Sequence, residues 1–261
     1  MTLFDAGLQV NSISVVRSAI SSTMEKMEGC SVGMHPLMIK LFNGFYQERP
    51  KTHKIFPQWN VDSVLDSIIK WGENGNLSLT KLTWKLAMLM SLSAASRCSE
   101  MAYLDLQHAS FNPEGIEFLL TRHKKNQKNS TLPGKIFISK IELKSICPVL
   151  CLEEYINRTS DARNKGSSNL VFRSISHPEA GVTPRTISRW LTSCIQESGF
   201  KVDNLIGHSV RSKSVSKANF KGMSTRDIIR AVGWKSNSCF FKYYLNPLPH
   251  QELGKKVLTL G

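Results

Sequence analysis

The chain has 261 residues, 41% of them hydrophobic and 21% charged, which suits one large globular domain or two smaller ones with a real core. Lys and Arg number 34 against 20 Asp and Glu, a formal net charge of +14 at pH 7. That excess favours a polyanionic partner, either nucleic acid or an acidic membrane surface. The most apolar run, LAMLMSLSAAS over 86–96, is too short to cross a bilayer, and the first residues show neither a signal-peptide nor an Arg-rich transit pattern. The membrane reading therefore falls away.

In chain order, residues 12–26 place Ile13, Val16, Ala19, Ile20 and Met24 on a helical stripe. A second short helix is expected over 36–45, with Pro36 in its first turn. The stretch QERPKTHKIFPQWN (47–60) has two prolines, several basic residues and little periodicity, and reads as a linker. Helices follow over 61–71 and 79–93, the second capped by Ser78. Two β-type runs, 116–120 and 136–138, flank a polar, Lys-rich loop and predict a hairpin with a basic tip. Residues 170–172 (LVF) suggest one more short strand. Ile187, Trp190, Leu191, Cys194 and Ile195 repeat at i, i+3, i+4, i+7, i+8, a helix stopped by Gly199. Ser224 caps a last helix that Gly233 ends. The fold class expected is mainly α with a small antiparallel β-sheet.

The six cysteines, Cys30, Cys98, Cys147, Cys151, Cys194 and Cys239, form no CxxC pair and have no His at zinc-finger spacing. They read as free core thiols in a reducing compartment. Acidic residues are scattered, which speaks against two-metal nuclease chemistry. No metal and no cofactor are expected.

Several groups could bind or move a phosphate. His208 and Arg211 stand three apart, so a helix starting near Ser209 would put them on one face beside free backbone N–H groups. Arg97 sits where a strongly apolar helix ends, with Glu100 three residues on; an Arg in apolar surroundings needs an anion, either Glu100 or a phosphate. Trp234 offers an indole donor that cannot act as a base. Tyr243 and Tyr244 close the run FFKYYLNP. Taken singly, each has an ordinary structural explanation.

Taken in order, Arg, basic hairpin, His-x-x-Arg, Gly-Trp and Tyr resemble the tyrosine recombinases, and more closely the eukaryotic branch carried by DIRS-type retroelements. The stretches RSAISS, HPLMIKLFNG, RCSEMAYLDL, ICPVLCLEEYI, TPRTISRWL, GHSVRSKSVSKA and GWKSNSCFFKYYLNP carry the resemblance over 10–247. It implies a recombinase catalytic domain over 61–261, a linker over 51–60, and over 1–50 the C-terminal part of a truncated helical core-binding domain. It implies a site-specific DNA recombinase or integrase that cuts and rejoins DNA through a 3′-phosphotyrosine, without metal. An inactive, domesticated DNA-binding protein is the alternative.

By the same resemblance, Arg97 and Arg211 grip the non-bridging phosphate oxygens, His208 assists proton transfer, Trp234 donates from its indole and Glu100 orients the shell. The general acid is one of Lys124, Lys125 and Lys128 in the hairpin loop, and the match of EFLLTRHKK to the family's strand favours Lys125. Bacterial-type spacing from Trp234 makes Tyr243 the nucleophile; retroelement spacing makes it Tyr244, the expected residue. The implied partners are double-stranded DNA and further copies of the chain in a synaptic tetramer, and the implied location is the nucleus.

Overall fold

The computed structural model describes residues 3–50, 59–120, 134–165, 168–201 and 208–234, with His208 represented by its backbone alone. The chain divides into two compact units, 1–55 and 56–261. The first unit holds α1 (Val10–Thr23) and α2 (Pro36–Glu48). Phe4, Val10, Ile13 and Phe42 bury against one another, and Phe4 stacks on Phe45 with ring centroids 4.2 Å apart.

The second unit holds one large core and a smaller, separate cluster of buried residues. α3 (Val61–Lys70) begins at Asn60, whose side chain accepts from the N–H of Asp62 and of Ser63. It buries Val61, Val64 and Ile68, the i, i+3, i+7 face. α4 (Leu79–Ala94) is capped by Ser78, and its run from Leu86 to Ser91 is buried without interruption. A helix buried on every side sits at the centre of a domain, and α4 packs against helices and sheet alike. The short α5 (Cys98–Met101) follows.

Three strands come next: β1 (Ala109–Asn112), β2 (Gly115–Leu120) and β3 (Gly134–Ser139), antiparallel in the order β1-β2-β3. Ile116, Phe118 and Leu120 pair with Ile138, Ile136 and Gly134, and the four isoleucine and phenylalanine side chains face the core. The alternating residues Glu117 and Lys135 form an ion pair on the other face at 2.8 Å. Asn112 turns β1 into β2 by accepting from the N–H of Glu114 and of Gly115. A Cβ on Gly115 would come within 2.1 Å of the Ile138 carbonyl oxygen, so only glycine fits there.

The expected hairpin is thus present, widened by β1, which four mostly exposed residues did not reveal. The expected strand at LVF is not formed. Leu170 makes a single bridge to Asp105 and Arg173 another to Gly181, while Val171 and Phe172 turn into the core. Their apolarity reflects burial of a loop, not of a strand.

The rest is helical: α6 (Pro148–Arg158), α7 (Ser160–Lys165), α8 (Pro184–Glu197), α9 (His208–Phe220) and α10 (Thr225–Val232). Cys151 on α6 and Cys194 on α8 lie in the core, where burial pushes each thiol up to about 12. Of the stretch read as linker, Trp59 and Asn60 are structured parts of the second unit, and 51–58 lie outside the described residues. No helix among the described residues is long and apolar enough to span a membrane.

Candidate active site

Arg97 stands on a corner. α4 ends with Ala95 in the left-handed region (φ 45°, ψ 40°), and Arg97 is extended as the residue that caps α5. Glu100, in the first turn of α5, reaches back: its Oε2 accepts from the Arg97 backbone N–H at 2.8 Å and its Oε1 from Arg97 Nη1 at 2.7 Å. One carboxylate therefore fixes both the corner and the guanidinium that leaves it.

Glu100 also meets a second cation. Arg211 Nη1 lies 3.3 Å from Glu100 Oε2. Arg211 comes from the first turns of α9 and is buried, its side chain 1% exposed, whereas Arg97 is 36% exposed. A guanidinium removed from water needs acceptors that satisfy it, and for Arg211 one of these is the Glu100 carboxylate. The outer face of the pair, on Arg97, remains open to solvent.

Trp234 completes the group. Gly233 ends α10 in the left-handed region at φ 68°, and the Trp234 N–H donates to the Ile229 carbonyl at 3.0 Å, a helix ending that suits glycine. The indole packs on a small cluster formed by Ala95, Val215 and Ile228. The Arg211 guanidinium carbon lies 5.3 Å from the indole ring centroid, within reach of a cation–π contact. Ala95 thus serves twice, as the corner before Arg97 and as part of the cluster on which Trp234 packs.

Arg97, Glu100, Arg211 and Trp234, drawn from 97 to 234 in sequence, are brought together. Two cations against one carboxylate leave a net positive site beside a partly exposed guanidinium, which is suited to an anion. Nearby thiol chemistry is suppressed: burial pushes the Cys98 thiol up to about 11, so it stays neutral beside Arg97. Burial also lowers Lys213 of α9 below its ordinary value. Among the described residues no three His, Cys, Asp or Glu side chains are grouped to hold a metal ion.

The backbone of His208 opens α9, three residues before Arg211, and its side chain lies outside the described residues. Lys124, Lys125 and Lys128 lie outside them too, in the segment joining β2 to β3, as do Tyr243 and Tyr244. One contact had no signal in the sequence. The Trp59 indole N–H donates to Ser209 Oγ at 2.9 Å across 150 residues.

Residues 62–250 match the Phage integrase family. The chain belongs to the phage integrase family. This family member shares its fold with solved recombinases. The XerH site-specific recombinase in a post-cleavage complex with palindromic difH substrate aligns at a TM-score of 0.61 and 12% identity, over 98% of this chain and 66% of that one. The Tn1549 transposon integrase with circular intermediate DNA aligns at 0.59 and 10%, over 97% and 81%. The XerA recombinase aligns at 0.55 and 13%, over 97% and 84%. The mostly helical unit with its three-stranded antiparallel sheet is the tyrosine recombinase catalytic fold. This integrase family member spans about two thirds of the XerH chain. Comparison with curated proteins finds no match.

Proposed function

We propose that the chain is a site-specific DNA recombinase or integrase of a mobile element of the DIRS type, acting on double-stranded DNA in the nucleus. The observation that carries this reading is the Glu100-bridged pair of guanidiniums, Arg97 and Arg211, inside the segment that matches the family. Two guanidiniums held in fixed relation suit the two non-bridging oxygens of one phosphodiester. As the phosphorus becomes five-coordinate its negative charge grows, and preplaced cations stabilise it most at that point.

In this reading the Tyr244 hydroxyl attacks phosphorus and its proton passes to His208. The bond from phosphorus to the 5′-oxygen breaks, and Lys125 gives that oxygen a proton. The product is a 3′-phosphotyrosine and a free 5′-hydroxyl. A 5′-hydroxyl from a second duplex reverses the step and exchanges strands. The covalent link conserves the bond, so neither a metal nor a nucleotide is required. Strand exchange needs several copies on DNA, assigned here to a tetramer. Support comes from relatives of the same fold that are recombinases solved on DNA.

The test mixes the protein with supercoiled DNA in excess chelator, quenches with detergent and assays for protein covalently attached to DNA. Tyr243→Phe and Tyr244→Phe run in parallel. An adduct lost only in Tyr244→Phe is the expected result. Loss only in Tyr243→Phe moves the nucleophile by one residue. DNA binding without any adduct would instead favour the inactive DNA-binding alternative.

A further inference from the structure

α9 carries His208 and Arg211, yet its sequence HSVRSKSVSKANF has little apolar surface to hold it. Val210 and Val215 are its buried apolar residues. The helix is instead tied by polar bonds. Ser214 Oγ donates to the Leu92 carbonyl on α4 at 2.6 Å, Lys217 pairs with Asp62 on α3, and Arg211 pairs with Glu100. Among the described residues, the side-chain bond nearest its start is the one from Trp59 to Ser209, and both residues are 3% exposed.

A buried indole N–H must find an acceptor, and a buried serine oxygen that loses its donor costs free energy. The bond therefore resists any sliding or rotation of the first turn of α9. Trp59 itself belongs to the large buried core, which also takes in Val210 of α9. It also stands near the start of the second unit, where the chain arrives from the first.

We propose that Trp59 is a positioning residue for the phosphate site. Its indole N–H holds Ser209 and so fixes the backbone from which His208 and Arg211 extend. The residue touches no substrate; it acts through α9. This inference rests on the proposed DNA-cleaving function for its activity readout, but its structural readout stands alone.

Trp59→Phe keeps an aromatic ring and removes the donor, and Ser209→Ala removes the acceptor. Each single variant, and the double variant, is assayed for DNA affinity, for the rate of adduct formation and for amide hydrogen exchange over 212–215, whose N–H groups bond to the carbonyls of the first turn. Both singles are expected to slow adduct formation by the same factor, roughly ten- to a hundredfold, with DNA affinity unchanged. The double variant should be no slower than either single, because both remove one bond. Exchange at the start of α9 should quicken about tenfold or more in all three. Rates that multiply in the double variant, or exchange as slow as in the parent protein, would overturn the proposal. If the parent protein forms no adduct, the recombinase reading fails while the exchange measurements still decide whether Trp59 holds α9.

Discussion

Arg211 Nη1 and Glu100 Oε2 stand 3.3 Å apart, joined across 111 residues of sequence. The same Glu100 carboxylate holds Arg97 through both its backbone and its guanidinium. Three separate features of the sequence thus become one charged unit, and its geometry is set by the acid, not by either base.

Glu100→Gln keeps the shape and removes the charge. The fully buried Arg211 would lose its carboxylate, a change that costs about 3 kcal/mol. Urea denaturation measures the loss. Adduct formation should fall roughly a hundredfold, because both guanidiniums lose their common reference. DNA affinity, supported by many other basic groups, should change little in a filter-binding assay.

Ala95 is a non-glycine residue in the left-handed region, a conformation that costs about 1–2 kcal/mol. Ala95→Gly removes that strain. It also gives up a buried methyl worth about 0.8 kcal/mol and adds about 0.5–1 kcal/mol of unfolded-chain freedom. The effects offset, so Ala95→Gly should lie close to the parent protein in stability. Ala95→Val adds a branched side chain to the same conformation and should lower the melting temperature clearly. Thermal melts of the two variants check the contrast.

Lys85 is fully buried on α4, and its Nζ donates to the Gly72 carbonyl at 3.3 Å. Burial holds its pKa below the ordinary lysine value, with the Cys151 thiol facing it. Below that lowered value the charge is carried in both folded and unfolded chains, so the cost of burying it is fully present. As pH rises through the lowered value toward about 10.4, the folded chain releases the proton first and stability increases. Lys85→Met should therefore gain most over the parent protein below the lowered value, and the advantage should shrink toward pH 10.4 (about the unfolded value). Chemical denaturation across that range reads it directly.

Tyr155 is buried on α6, and its hydroxyl accepts from the Arg173 backbone N–H at 3.0 Å. Burial raises its pKa, so it remains a neutral phenol. Arg173 and Arg163 are held by backbone carbonyls: Glu179 and Ser168 for the first, Leu170 and Val171 for the second. Tyr155→Phe leaves a buried N–H without its acceptor and should cost about 1–3 kcal/mol, with no change in DNA affinity. Denaturation and DNA-binding measurements together test this.

The amino-acid sequence by itself determined the helices whose apolar faces repeat at helical spacing. α8 follows from its stripe and the Gly199 stop, and α10 from the Ser224 cap and the Gly233 end; α3 was legible as a helix over 61–71. It also determined the hairpin of β2 and β3, because alternation there distinguishes core face from solvent face. The order of motifs pointed to the family. What only the tertiary structure decided lies in contacts between residues far apart in the chain. β1 has too few buried residues to announce itself, and LVF is apolar because a loop is buried, which periodicity cannot separate from a strand. The choice of Glu100 as partner for both Arg97 and Arg211, the seating of Trp234 against Arg211, and the bond from Trp59 to Ser209 each depend on where the packed core sets two helices or a loop and a helix. Local patterns encode which face of an element is buried. They do not encode which distant polar group meets it there, because that is fixed only when the whole core closes.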